Sequence, residues 1–301
     1  MRKLILLSGI LIICIIIINI FYKASSFSDK NNKNKNIINF CSFYSEGPPN
    51  DQGNNYSDLI PEVEKNATGY FNKITFYTPK ILRELGYGKY VKEYPKYQLS
   101  AAWSPVEKIG LFSFRPVMFL HELSKMNDGD ILIHRDMNWK KNPNYYNFDG
   151  YPELAERVLK ECQFDFFVPP SNPSNQTKLN NYTKAKVIRE LGENADIFKY
   201  VYTFHAYMFI MRKSAITIEL LNEWKTAVEN ESWLNGDISD EPDQQANLHG
   251  LDQSILSVIL YNWIRKQKYN IPKKYPFIRL RQEKNEIIKS DDQFYNYLKY
   301  L

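Results

Sequence analysis

From residue 37 onward, short apolar runs alternate with stretches whose apolar positions recur at helical spacing. IINFCSF (37–43) and ITFY (74–77) read as strands. Residues 79–85 follow Thr78 with Pro79 in the first turn and then keep a helical period. Arg115-Pro116 opens a second helical run, VMFLHELSKM, which puts Phe119, Leu120, Leu123 and Met126 on one face. The turn Asn127-Asp128-Gly129 ends it and delivers the chain into the strand ILIH. Further on, FDFFV (164–168) and YMFIM (207–211) read as strands, and 184–192, 215–229 and 252–266 as helices.

Alternation of this kind predicts an α/β fold with a largely parallel sheet flanked by helices, in which ligands bind beyond the carboxyl ends of the strands. With 44% hydrophobic residues in 301, residues 37–301 can build one sizeable core, and no later break in composition demands a second domain.

The N-terminal part has a different pattern. Residues 1–3 are a short tail, and residues 4–22 carry no charge and are long enough to span a hydrocarbon core as a helix. The reading is an uncleaved anchor, because the apolar core of a signal peptide is shorter; Ala24-Ser25-Ser26 supplies the small residues that the cleaved alternative needs. Residues 23–36 form a polar stem. Arg2 and Lys3 precede the span while Lys23, Lys30, Lys33 and Lys35 follow it, so the positive-inside rule does not orient it. Formal N-glycosylation acceptors occur at Asn55, Asn66, Asn175, Asn181 and Asn230, in a chain rich in Asn. The expectation is a single-pass, type II membrane protein with its folded domain in the secretory lumen.

Charge and cysteine content narrow the chemistry. The net charge of +5 is diffuse, which argues against a nucleic-acid partner. Cys14 lies in the apolar segment, which leaves Cys41 and Cys162 as a pair or as two buried thiols, with no CxxC metal pattern and no disulfide framework; Cys41, inside a strand, favours the buried thiols.

Two short constellations remain. If 131–133 is a central strand, then His134, Arg135, Asp136 and Asn138 stand at its carboxyl end, where a crevice is expected. Asp136 and Asn138, two apart, can offer oxygen ligands to a divalent cation. Taken alone, Asp136 reads equally as a turn cap with Arg135 paired to a surface acid. The second is HGLDQS (249–254), which opens a buried helix with Asp252 and Gln253 in its first turn and His249 three residues before Asp252. An N-capping Asp beside an inert Gln is its plain alternative.

In order and spacing, Phe114-Arg115-Pro116, Gly129-Asp130-Ile131-Leu132, His134-Arg135-Asp136-Met137-Asn138, Tyr182-Thr183-Lys184, the stretch 209–224 and HGLDQSIL (249–256) together resemble the GT-A-type nucleotide-sugar glycosyltransferases. The resemblance runs from about residue 37 to 263. It implies a GT-A-like, Rossmann-type mixed sheet flanked by helices, and transfer of a sugar from a nucleotide-diphosphate donor to a glycan, protein or lipid acceptor. It also implies a divalent cation, Mn2+ or Mg2+, with Asp136, Asn138 and His249 as metal ligands. Arg115, Arg135, Asp136 and Lys184 would bind the donor, and Asp252 and Gln253 would serve the transfer step. The family's Tyr-x-Asp-x-Gly strand end is here His-Arg-Asp-Met-Asn, which makes the second metal ligand neutral and sets Arg135 beside it. Trp103, Trp139, Tyr145 and Tyr146 are the aromatic candidates for shaping donor and acceptor specificity.

Overall fold

The computed structural model describes residues 36–45, 55–94, 109–137, 148–162, 164–171, 177–193, 195–238 and 249–266, with two short strands beyond them. Ile38–Leu301 forms one compact unit. The architecture is mixed α/β, a five-stranded mixed sheet flanked by helices.

The strands are β1 (Ile38–Phe43), β2 (Lys73–Tyr77), β3 (Ile131–Arg135), β4 (Phe166–Phe167) and β5 (Met208–Arg212), in spatial order β2-β1-β3-β5-β4. β1 pairs parallel with β2 and with β3, while β5 pairs antiparallel with β3 and with β4. Four strands therefore run one way and β5 alone is reversed, so the parallel expectation holds for all but one strand. A separate antiparallel pair joins Phe277–Ile278 to Ile287–Ile288.

Helices α1 (Ile60–Ala67), α2 (Pro79–Glu84), α3 (Phe114–Ser124), α4 (Tyr151–Cys162), α5 (Ala185–Leu191), α6 (Ala215–Val228) and α7 (Leu251–Arg265) supply the layers, with single turns at Leu179–Tyr182 and Glu231–Leu234. Local chemistry sets several of their starts. The Thr78 hydroxyl accepts the Ile81 N–H at 3.2 Å with Pro79 next in line, and Ser214 accepts the Thr217 N–H at 3.3 Å. β4 is shorter than its apolar run because Pro169 and Pro170 follow it and have no N–H to continue the ladder.

Strand alternation divides the core. Phe40 packs against Phe71 and Phe148, and Phe148 against Tyr151 of α4, on one face. His134 and Phe209 meet Phe119 of α3, and Phe209 stacks on Trp224 of α6, on the other. α7 is buried from Leu251 to Trp263, and the polar residues this encloses, Asp252, Gln253, Ser254, Ser257 and Asn262, are held by hydrogen bonds.

α1 and α4 were absent from the periodicity reading. Both carry Pro in the first turn, and in α4 Tyr151, Ala155, Val158 and Leu159 are buried at helical spacing. The proposed anchor at 4–22 and the stem up to residue 35 lie outside the described residues. Among the described residues no helix is long and apolar enough to cross a membrane. Cys41 is a free, buried thiol.

Candidate functional site

β3 does not stop at Ile133. His134 and Arg135 are still strand residues and fully enclosed, so the charge that follows the apolar run enters the core before it reaches the sheet edge. The Asp136 N–H donates to the Tyr207 carbonyl at 2.8 Å, prolonging the β3–β5 pairing by one bond. Asp136 is therefore the first residue past the carboxyl end of β3, with 31% of its side chain exposed.

Period-two alternation sends His134 and Asp136 to one face and Arg135 to the other. His134 Nε2 lies 3.0 Å from Asp136 Oδ1, and Nδ1 lies 3.0 Å from the Cys41 carbonyl oxygen. Arg135 donates to the Tyr151 hydroxyl of α4 at 3.0 Å, and its carbonyl accepts the Ser42 hydroxyl at 2.5 Å. It stands behind the sheet from Asp136, so phosphate contact from this position needs rearrangement.

Arg115, one residue inside α3, joins the two sequence constellations. It donates from Nη2 to Asp136 Oδ2 at 2.7 Å and from Nη1 to Asp252 Oδ2 at 2.7 Å. α3 is placed for this by Phe114, which stacks on Phe43 at the end of β1 with ring centroids 3.8 Å apart. The guanidinium also lies 4.3 Å from the centroid of the Phe112 ring. Its carrier turn is unusual: Gly110, Leu111 and Phe112 all have positive φ, at 65°, 50° and 63°. The first residue of α7, Leu251, has φ 50°, and Asp252 follows it directly.

The two carboxyls are not equivalent. Burial opposes the Asp136 charge, yet Arg115 and His134 hold its carboxyl below the usual range. Burial pushes Asp252 up to about 7 against the pull of Arg115. Asp252 is 1% exposed, so of the pair Asp136 is the one a ligand can touch. Gln253 is held from the same side: its side-chain oxygen accepts the Ala206 N–H at 3.5 Å, next to the Tyr207 that anchors Asp136.

Lys184 and His249 make a second cluster. His249 Nδ1 accepts the Lys184 backbone N–H at 3.3 Å, while Lys184 Nζ donates to the Ser232 carbonyl at 3.2 Å and to Asn235 Oδ1. His249 is fully buried, and burial with the Lys184 charge pushes it down to about 3. Of the expected site residues, the structure thus joins Arg115, Asp136 and Asp252, sets Gln253 beside them, and pairs Lys184 with His249. No described contact links that pair to the carboxylates. Asn138, Trp103, Trp139, Tyr145 and Tyr146 lie outside the described residues.

Among the described residues no group of three or more His, Cys, Asp or Glu is arranged to hold a metal ion. Of the Asp136–Asp252 pair, Asp136 alone is partly exposed, and a guanidinium already binds it. Asp136 and His249, the expected ligands among the described residues, do not fit a divalent cation as they stand, with Asp136 bound to Arg115 and His249 fully buried beside Lys184.

His134 and Phe112 are the site residues without an assigned role in the sequence reading. The spacing of His134 and Asp136 along a strand was the available signal for the first; nothing in the sequence marks the second. Comparison of the chain with protein-family models, curated proteins and solved structures found no match.

Proposed function

We propose that the chain is a GT-A-like glycosyltransferase, carried on a membrane anchor at 4–22, which moves a sugar from a nucleotide-diphosphate donor to a glycan, protein or lipid acceptor. The observation that supports this reading is the convergence of three motifs. Asp136 and Asp252, far apart in sequence, both accept hydrogen bonds from Arg115 at the carboxyl edge of β3. Ligands of parallel sheets bind at that edge, and the same three positions carry the family resemblance.

Asp136 is the working carboxylate in this reading. It is exposed, ionised at neutral pH and fixed from behind by His134, so it can orient an acceptor hydroxyl or receive its proton. Asp252 holds Arg115 in place and Gln253 supports the 206–207 segment; neither needs to touch substrate. No step is routed through a metal ion.

A panel of nucleotide sugars, assayed for transfer and donor hydrolysis with and without Mn2+, tests the proposal. One donor should be turned over, and Asp136→Ala should lower that rate by at least about 100-fold. Absence of turnover together with absence of thermal stabilisation by every nucleotide sugar sinks the enzyme reading. A second reading, a glycan-binding protein without transfer activity, is favoured by the engagement of both Asp136 oxygens in internal bonds. It requires stabilisation by a glycan and by no nucleotide sugar.

A further inference from the structure

We infer that Arg115 is the built-in counter-ion of the Asp136–Asp252 pair, locked by Phe112 on a left-handed turn, so that this site does without a divalent cation where the family resemblance calls for one. The inference rests on the reading of Asp136 as the candidate site.

Three observations support it. First, one guanidinium contacts both carboxylates through separate nitrogens at 2.7 Å each, so its charge is spent on both. A cation approaching Asp136 meets that fixed positive charge at the carboxylate it needs. Second, Arg115 is 4% exposed, and the ring of Phe112 lies 4.3 Å from its guanidinium. To leave Asp136 it would have to abandon the ring and Asp252 together. Third, the backbone keeps it there at a cost. Among the described residues the non-glycine positions with positive φ are Leu111, Phe112 and Leu251. Leu111 and Phe112 carry the ring under the guanidinium, and Leu251 immediately precedes Asp252. Strain of this kind persists where the surroundings over-determine it, and here every instance adjoins the same ion pair. Gly110 completes the turn, packed so closely that a Cβ would lie 1.8 Å from the Tyr90 carbonyl oxygen.

Arg115 and Phe112 are thus positioning residues. Arg115 sets its single positive charge between the two acids and leaves the outward lone pairs of Asp136 for a hydroxyl rather than for a metal.

The test uses the full-length protein and Mn2+ alone, with uptake read from loss of the free-ion electron paramagnetic resonance signal. Wild type should leave the signal unchanged at 100 µM protein and Mn2+, to within about 10%. Arg115→Gln, which removes the positive charge and leaves the two acids, should take up Mn2+, and adding Asp136→Asn should abolish that uptake. Overturning results are uptake by wild type that Asp136→Asn removes, or a folded Arg115→Gln variant that takes up none. Should Arg115→Gln fail to fold, the wild-type measurement still decides, and Phe112→Leu supplies the second variant. Its Arg115 guanidinium protons, observed by NMR, should exchange at least tenfold faster with solvent than in wild type; unchanged exchange refutes the positioning role of the ring. No sugar nucleotide enters any arm, so a failed donor screen and a failed metal test are separate results.

Discussion

His249 and Asp252 stand three residues apart and make opposite demands on pH. His249 is pushed from the ordinary 6.5 down to about 3, by burial first and then by Lys184. Between those values the unfolded chain binds a proton that the folded chain refuses, so stability is lost as pH falls from about 6.5 toward about 3. The gap corresponds to a few kcal/mol, at most roughly 5. His134, lowered chiefly by burial, acts in the same direction. Asp252 is raised from 3.8 to about 7, so the folded chain holds the extra proton there, and stability is lost as pH rises through that range. Replacing each residue separates the two effects. In denaturant titrations from pH 4 to 8, His249→Asn should flatten the acid-side loss relative to wild type, and Asp252→Asn should flatten the loss toward neutrality. A His249→Asn protein with an undiminished acid loss contradicts the buried, neutral assignment.

At the scale of elements, the 110–112 turn sets where α3 begins and therefore where Arg115 points. Its Gly110 N–H donates to the Lys92 carbonyl at 2.8 Å, and the Ser113 hydroxyl donates to the Tyr90 carbonyl, which ties the helix start to the 88–92 segment. Gly110→Ala meets both a backbone carbonyl and a positive φ. It should cost at least about 2 kcal/mol in urea unfolding, whereas Gly69→Ala, with a positive φ but open space around it, should cost about 1 kcal/mol. Equal losses would mean that the Tyr90 contact relaxes freely. Turns of this sort were not legible in the sequence. Residues 109–113 carry no period, and φ at Leu111 and Phe112 follows from tertiary fit rather than from side-chain type. The strands were legible because β1, β3 and β5 are short, mostly apolar runs flanked by polar residues, and the reversed direction of β5 was not, because such a run reads the same in either direction. Asp136 and Asp252 could be singled out as acids at element ends. That one arginine joins them is a fact of packing, and so is the bond that His249 Nδ1 accepts from the Lys184 backbone N–H while Nε2 stays buried without a hydrogen-bond partner.

At the scale of the whole molecule, the proposed anchor at residues 4–22 lies outside the described structure, is argued from composition alone, and would tether the folded domain to a membrane. Nineteen residues from Leu4 to Tyr22 without a charge give, as a helix, a length of roughly 29 Å, which matches a hydrocarbon core of about 30 Å. Placing an arginine near the middle costs about 2.5–3.5 kcal/mol on insertion scales, and two should cancel most of the preference of a segment whose leucines and isoleucines each contribute about 0.3–0.6 kcal/mol. The full-length chain should therefore stay with membranes washed in alkaline carbonate, and the double substitution Ile15→Arg with Ile17→Arg should release most of it into the wash. A wild-type chain that washes off defeats the anchor. A protein released intact but shorter by about 25 residues identifies a cleaved signal peptide instead. The two outcomes bear on the proposed function differently: an anchored chain would be confined to acceptors that reach the membrane surface, whereas a released one would meet acceptors free in solution.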